Sequence, residues 1–256
     1  MILDELKEEY VKDLLQKNKR ADGRELMQYR NITIEKGIIP NAEGSALAAI
    51  GDSKVIAGIK FDVVEPYKDK PNEGVFSVTS ELSPIAHPEF EAGPPREDAI
   101  ELARVVDRGI RSAECVDLKK FILPDGKALG LFIDLAVIDH SGNLIDTASL
   151  AASAALMSTR IPKYENERLV RTEFQGNLKL ERTALTCSFE KIDGKLLLDA
   201  TDEEEVASDG RLTLATTSDG FIAAAQKSKP AGFTKEEILQ LAEVALQKGK
   251  ELEKFI

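Results

Sequence analysis

Apolar residues recur along this chain with two periods, and these periods divide it into helices and strands. In MILDELKEEYVKDLLQKNKR, residues Ile2, Leu3, Leu6, Tyr10, Leu14 and Leu15 return at helical spacing between charges. The pattern predicts an amphipathic surface helix over about residues 1–17, without the uninterrupted apolar run of a signal peptide. After the basic, turn-like KRADGRE, Ile32 and Ile34 of YRNITIEKG alternate with polar residues and predict a half-buried strand. GSALAAIG and KVIAGIKFDVV, joined by Gly51-Asp52-Ser53, predict a hairpin, and GVFSVTSEL predicts another strand beyond the polar loop EPYKDKPNEG. The proline-rich SPIAHPEFEAGPP then leads to a helix that Asp98 is placed to cap.

The theme repeats. DGKALGLFIDLAVID predicts a long strand, Ser141-Gly142-Asn143 a turn, and TASLAASAAL an alanine-rich helix from about Thr147 to Arg160. Small residues on every side of that helix suit close packing on both faces. From Thr183 the chain reads as short strands, TALTCSFEKI, KLLLDAT, RLTLATT and FIAAAQ, with Asp193-Gly194 and Ser218-Asp219-Gly220 as turns. A Thr-Lys-Glu-Glu capping box at Thr234 opens a closing helix that runs to about Phe255. The expected class is α+β with two similar halves, read as a single domain over 1–256 that begins with the N-terminal helix.

One helix carries an unexpected charge pattern. ELARVVDRGIRSAE places Arg104, Arg108 and Arg111 within an arc of about 60°, while Leu102, Val105, Val106, Gly109, Ile110 and Ala113 gather opposite. The chain as a whole has a formal net charge of −11. Three readings stay open on the residues alone. The arginines pair with Glu97, Glu101 or Glu114, they meet an acidic protein partner, or they contact phosphate.

Composition narrows the remaining chemistry. Hydrophobic residues make up 43% of the 256 positions, ample for a buried core, and the absence of Trp disfavours an aromatic carbohydrate platform. Cys115 and Cys187 lack metal-ligand spacing and read as reduced thiols of a cytoplasmic protein. His87 and His140 stand in turn-like contexts without a second ligand in register, so no metal site or His-based triad is expected. No G-x-G-x-x-G or P-loop is present, and no cofactor is expected. The longest apolar run, ALGLFIDLAVI, is short for a bilayer and carries Asp134. The acidic LDATDEEEVASD reads as a solvated turn in which Asp199 or Asp209 could face a pocket.

Four segments carry a family resemblance: KRADGRELMQYRNITIEKG, AEGSALAAIGDSKVIAGIK, FEAGPPREDAIELARVVDRGIRSAE and FIDLAVIDHSGNLIDTASLAASAAL. Together they resemble the ribonuclease PH family, and within it the non-catalytic ribonuclease PH-like subunits of archaeal exosomes. The resemblance implies a fold of duplicated βαβα-type units with mixed sheets and packed helices. It also implies a role in 3′–5′ RNA degradation, in which phosphate attacks the RNA. Active members carry a phosphate-binding arginine motif between the long strand and the alanine-rich helix, where this chain reads Ser141-Gly142-Asn143-Leu144-Ile145-Asp146. Asp146 would repel phosphate there, and Asp199 and Asp209 stand roughly where active members have an acidic pair. No catalytic residue and no metal ligand is therefore expected.

The implied partners are a catalytic ribonuclease PH-like exosome subunit in a hexameric ring of three heterodimers, trimeric RNA-binding cap subunits, and single-stranded RNA, with no membrane. Arg104, Arg108 and Arg111 are the implied RNA-binding residues. A self-sufficient phosphate-dependent 3′–5′ exoribonuclease forming a homohexamer is the alternative.

Overall fold

The computed structural model of the protein describes residues 2–256, with side chains from residue 5 onward. Strand alternation in the first half produces β1 (Ile32–Lys36), β2 (Gly44–Ile50), β3 (Ser53–Val64), β4 (Val75–Leu82) and β5 (Ala128–Asp139). They form one sheet in the order β1-β2-β3-β5-β4, with β4 parallel to β5 and the other neighbours antiparallel. Val55, Ala57, Ile59 and Phe61 on β3 alternate inward, as the period-two pattern requires. Between β4 and β5 lies α2 (Glu97–Ser112), and α3 (Leu144–Met157) follows β5.

Two further strands, β6 (Arg160–Glu165) and β7 (Arg168–Asn177), form a hairpin that the pattern of apolar residues did not reveal. Both are largely solvated, so charges occupy either face and no period-two signal survives. Asn166 and Glu167 at its tip have φ of 51° and 60°, the conformation of a type I′ turn. The second half contributes β8 (Ala184–Ile192), β9 (Lys195–Leu198), β10 (Gly210–Thr217) and β11 (Ile222–Ser228), an antiparallel sheet in the order β11-β10-β8-β9. The short α4 (Asp202–Val206) links β9 to β10, and α5 (Lys235–Leu252) packs on β8 and β10. The chain is thus α+β, with each half pairing a sheet with helices.

The alanine-rich α3 joins the halves. It packs on β2 and β3 on one side and on β8 on the other, and every residue from Ile145 to Leu156 is buried. Small side chains are what let both sheets approach it. Where they meet the backbone they also bond: Ser153 Oγ donates to Ala184 O at 2.7 Å, and Ser149 Oγ accepts from Thr186 N at 3.1 Å. One apolar cluster runs from Ile50 and Phe61 in the first sheet through Leu150 to Phe189 and Leu214 in the second.

Three local expectations change. Asp98 does not cap α2; Arg96 occupies that position without a side-chain bond, and Glu97 and Asp98 lie in the first turn, where carboxylates complement the helix dipole. The segment after Asp199 is no solvated turn, because Thr201 and Glu204 form a capping box that opens α4. α1 (Ile2–Gln16) buries Val11 and Leu15, while Leu6 and Tyr10 face solvent. Val11 and Leu15 pack in a small cluster with Ile192, Leu197, Ala200 and Ala207, too narrow to cover the whole apolar stripe. The side chains of Ile2 and Leu3 lie outside the described residues.

The closest approach of α3 to β2 is at Gly44, where an added Cβ would lie 2.2 Å from Thr159 Oγ1 and 2.6 Å from Ala155 O. Gly44→Ala should lower the unfolding free energy in denaturant titrations by about 1–3 kcal/mol, through overpacking of this seam.

Candidate nucleic-acid interface

α2 separates its faces as the sequence predicts. Leu102, Val105, Val106 and Ile110 are buried, and Gly109 lets the helix approach Ala215 on β10. Arg104, Arg108 and Arg111 are all exposed, but their surroundings differ. Arg104 makes no ion pair or side-chain hydrogen bond among the described residues, and with Arg108 it lines an open groove floored by Val105, bounded by Gln226 and shared with Glu97 and Glu101. Arg108 Nη1 donates to Gln226 Oε1 at 2.7 Å.

Arg111 is engaged elsewhere. Its Nε and Nη2 donate to the two carboxylate oxygens of Asp107 at 3.0 and 2.8 Å, Nη2 also donates to Phe76 O at 2.9 Å, and the guanidinium lies 5.0 Å over the Phe76 ring. The hydrogen bond to Asp107 raises its pKa further. The structure therefore brings Arg104 and Arg108 together and turns Arg111 toward β4.

In the turn before α3, where the resemblance implies the phosphate site of active members, the backbone donors of Ser141, Gly142 and Asn143 are already occupied. Ser141 N donates to Ser53 Oγ at 2.9 Å, Gly142 N to His140 Nδ1 at 3.3 Å, and Asn143 N to Glu205 Oε1 at 2.9 Å. The carbonyls of Ser141 and Gly142 accept from Arg30 at 2.6 and 3.1 Å. Gly142, with φ of +89°, is pressed against the β9–α4 connection so closely that a Cβ would sit 2.4 Å from Ala200 O. None of these three turn amides is left free for an anion.

The acidic residues explain the closure. Asp199 is fully buried and accepts from Arg24 Nη1 at 2.8 Å, from Arg30 N, Nε and Nη2 at 2.8, 3.0 and 2.8 Å, and from Asn143 Nδ2 at 2.8 Å. Burial alone would push its pKa up, but the hydrogen bonds and charge of Arg30 hold it below the ordinary 3.8. Asp146 does not face a phosphate site. It is fully buried and accepts from Tyr29 Oη, Asn143 Nδ2, Ser188 N and Ser188 Oγ at 2.8–3.0 Å, while burial raises its pKa. Asp209 does not join Asp199; it is exposed and accepts from Asp193 N at 2.8 Å.

The sequence pattern shows KRADGRE as a basic turn and does not reveal what its arginines, with Arg30 beyond it, hold. Arg20 pairs with Glu204 at 2.5 Å and donates to Leu198 O and Asp199 O, so Arg20, Arg24 and Arg30 together clamp the acidic run. Their partners lie more than 160 residues away, which no local pattern reports. The two histidines also meet through the fold. His87 and His140 rings lie 5.0 Å apart, with Asp202 3.8 Å from each Nε2. Each Nδ1 accepts a backbone hydrogen bond, from Glu89 N and Gly142 N, which places the neutral ring's proton on Nε2.

Among the described residues, no group of three or more His, Cys, Asp or Glu is arranged to hold a metal ion. No described helix is long and apolar enough to cross a membrane.

Two models of the 3′ exoribonuclease family match this chain, domain 1 over residues 28–162 and domain 2 over residues 183–248. The chain belongs to the 3′ exoribonuclease family. The first match contains the five-stranded sheet with α2 and α3, the second contains β8 to β11, and most of the β6–β7 hairpin falls between them. Among relatives in this family, the exosome complex component Rrp42 of Thermococcus kodakarensis is 42% identical over 98% of this chain and 94% of that protein. The exosome complex component Rrp42 of Pyrococcus furiosus is 43% identical over 97% and 91%. Among solved structures, a chain of the Archaeoglobus fulgidus exosome with RNA bound to the active site superposes with a TM-score of 0.92 at 38% identity, covering all of both chains. A chain of an archaeal exosome core gives 0.88 at 37%, covering 99% and 98%.

Asp199→Asn leaves Arg30 buried without its counter-charge and Arg24 with Asp22 alone, and should cost about 3–5 kcal/mol at neutral pH in denaturant unfolding. Because the folded-state pKa is depressed, the stability contributed by ionised Asp199 is fully present above about 3.8 and is lost as pH falls through the lower folded value. The difference between the variant and the unaltered chain should therefore shrink in titrations below pH 3.8.

Proposed function

We propose that this chain is a non-catalytic subunit of an archaeal exosome, and that it holds RNA for a neighbouring subunit that carries out phosphorolysis. The observation that carries this reading is the occupied turn at Ser141–Asn143, because a phosphorolytic site needs free donors for phosphate and this turn has spent all of its own. The near-complete coverage by Rrp42 relatives supports the same reading.

In the proposed assembly the chain alternates with a catalytic ribonuclease PH-like subunit in a ring of three heterodimers, beneath trimeric RNA-binding cap subunits. The shared core across both sheets supports folding of the chain as a single unit. The buried, unpaired Cys115 and Cys187 suit the cytoplasm; burial raises the Cys115 thiol to about 12, so it stays protonated and inert.

Arg104 and Arg108 make the RNA contacts in this reading, through backbone phosphates and without reading sequence. Arg111, its fork filled by Asp107, has the least to offer a phosphate. The net charge of −11 does not oppose this, since exposed charges more than about 8 Å away are largely screened at physiological salt.

Two measurements test the proposal. The purified chain incubated with single-stranded RNA, phosphate and Mg²⁺ should release no nucleoside diphosphate; release that disappears in Asp209→Ala would establish the homohexameric enzyme instead. In the ring reconstituted with its catalytic partner, Arg104→Ala plus Arg108→Ala should weaken RNA binding. The slope of log affinity against log salt should then fall by about 1.4, at about 0.7 per single-strand phosphate contact. Unchanged affinity and slope would make the stripe a structural feature only.

A further inference from the structure

Arg104 stands between two carboxylates that helical spacing would bring to it: Glu101 three residues before and Asp107 three residues after. Neither pairs with it. Asp107 gives both oxygens to the fork of Arg111. Glu101 accepts instead from Ser228 Oγ at 2.6 Å, across the groove on β11. Two positions earlier on the same face of β11, Gln226 Oε1 accepts from Arg108 Nη1 at 2.7 Å. An arginine only donates, so this bond fixes the orientation of the amide and leaves Gln226 Nε2 as a donor within the groove that Arg104 and Arg108 line.

Resting on the RNA-holding role proposed above, we infer that Ser228 and Gln226 are positioning residues that keep Arg104 and Arg108 free of the carboxylates on the groove wall and aimed at an RNA backbone. Ser228 draws Glu101 away and so leaves Arg104 un-neutralised. Arg111 does the same with Asp107 from the other side. Gln226 restrains Arg108 with a neutral acceptor, which orients the guanidinium without cancelling its charge, and its amide N–H₂ supplies a further donor to a phosphate or ribose oxygen. Edge strand β11 thereby tunes a site whose charges all sit on α2.

The test uses the ring reconstituted with its catalytic partner and a fluorescein-labelled oligoadenylate, with affinity followed across a salt series. Ser228→Ala should weaken binding about two- to tenfold and lower the salt slope, because Glu101 is released toward Arg104. In the Glu101→Gln background the same Ser228→Ala change should have no effect, an outcome that general loosening of β11 would not give. Gln226→Glu should weaken binding by a similar factor, because a carboxylate in that place pairs with Arg108. The inference is overturned if Ser228→Ala costs the same in both backgrounds. It is equally overturned if Ser228→Ala and Gln226→Glu bind like the unaltered ring while Arg104→Ala plus Arg108→Ala does not. If the double arginine variant itself binds normally, the RNA-holding role fails and the inference falls with it.

Discussion

Everything at the centre of this chain depends on the burial of one ionised carboxylate. Asp199 has no access to solvent, and it is kept charged by five donors from Arg24, Arg30 and Asn143. A charge so placed costs several kcal/mol unless its partners are themselves fixed. They are: Arg30 also grips the carbonyls of Ser141 and Gly142, and Asn143 bonds to Asp146, which Tyr29 and Ser188 hold in turn. The segment before β1, the turn before α3 and the β9–α4 connection are thus tied into one knot between the two sheets.

The functional consequence is an exclusion. A turn at a helix N-terminus is ordinarily a good place for an anion, because its amides point outward with nothing to bond. Here Ser53, His140 and Glu205 take the amides of Ser141, Gly142 and Asn143 just ahead of the helix, and Gly142 lies against Ala200. In the proposed role the surface for a polyanion is the outer face of α2, where a helix with a fully apolar inner side leaves Arg104 and Arg108 in solvent.

Much of this was legible in the sequence wherever burial is one-sided. β1 and β3 announce themselves by period two and α2 by its opposed faces, while β2 and α3, buried on both sides, read through apolar or small residues all round. The β6–β7 hairpin was not, because with both faces wet its charges carry no period. The outward turn of Leu6 and Tyr10 was hidden for a related reason: a helix pattern tells which residues are apolar, not how wide a surface waits for them. Arg104, Arg108 and Arg111 looked equivalent on a helical wheel. Asp107 separates them by occupying Arg111, and Gln226 and Ser228, far along the chain on an edge strand, complete the distinction. The pairing of Asp199 with Arg24 and Arg30 likewise joins residues that only the fold brings together. The resemblance to ribonuclease PH-like proteins located the altered turn, but only the geometry shows that its amides are already bonded.

A structure of the reconstituted ring with single-stranded RNA and phosphate bound would separate holding from cutting within this chain. RNA phosphate oxygens should lie about 3 Å from the guanidinium groups of Arg104 and Arg108, with the Ser141–Asn143 turn bonded as described and free of phosphate. Phosphate or an RNA 3′ end seated on that turn, with the α2 groove empty, would contradict the division of roles.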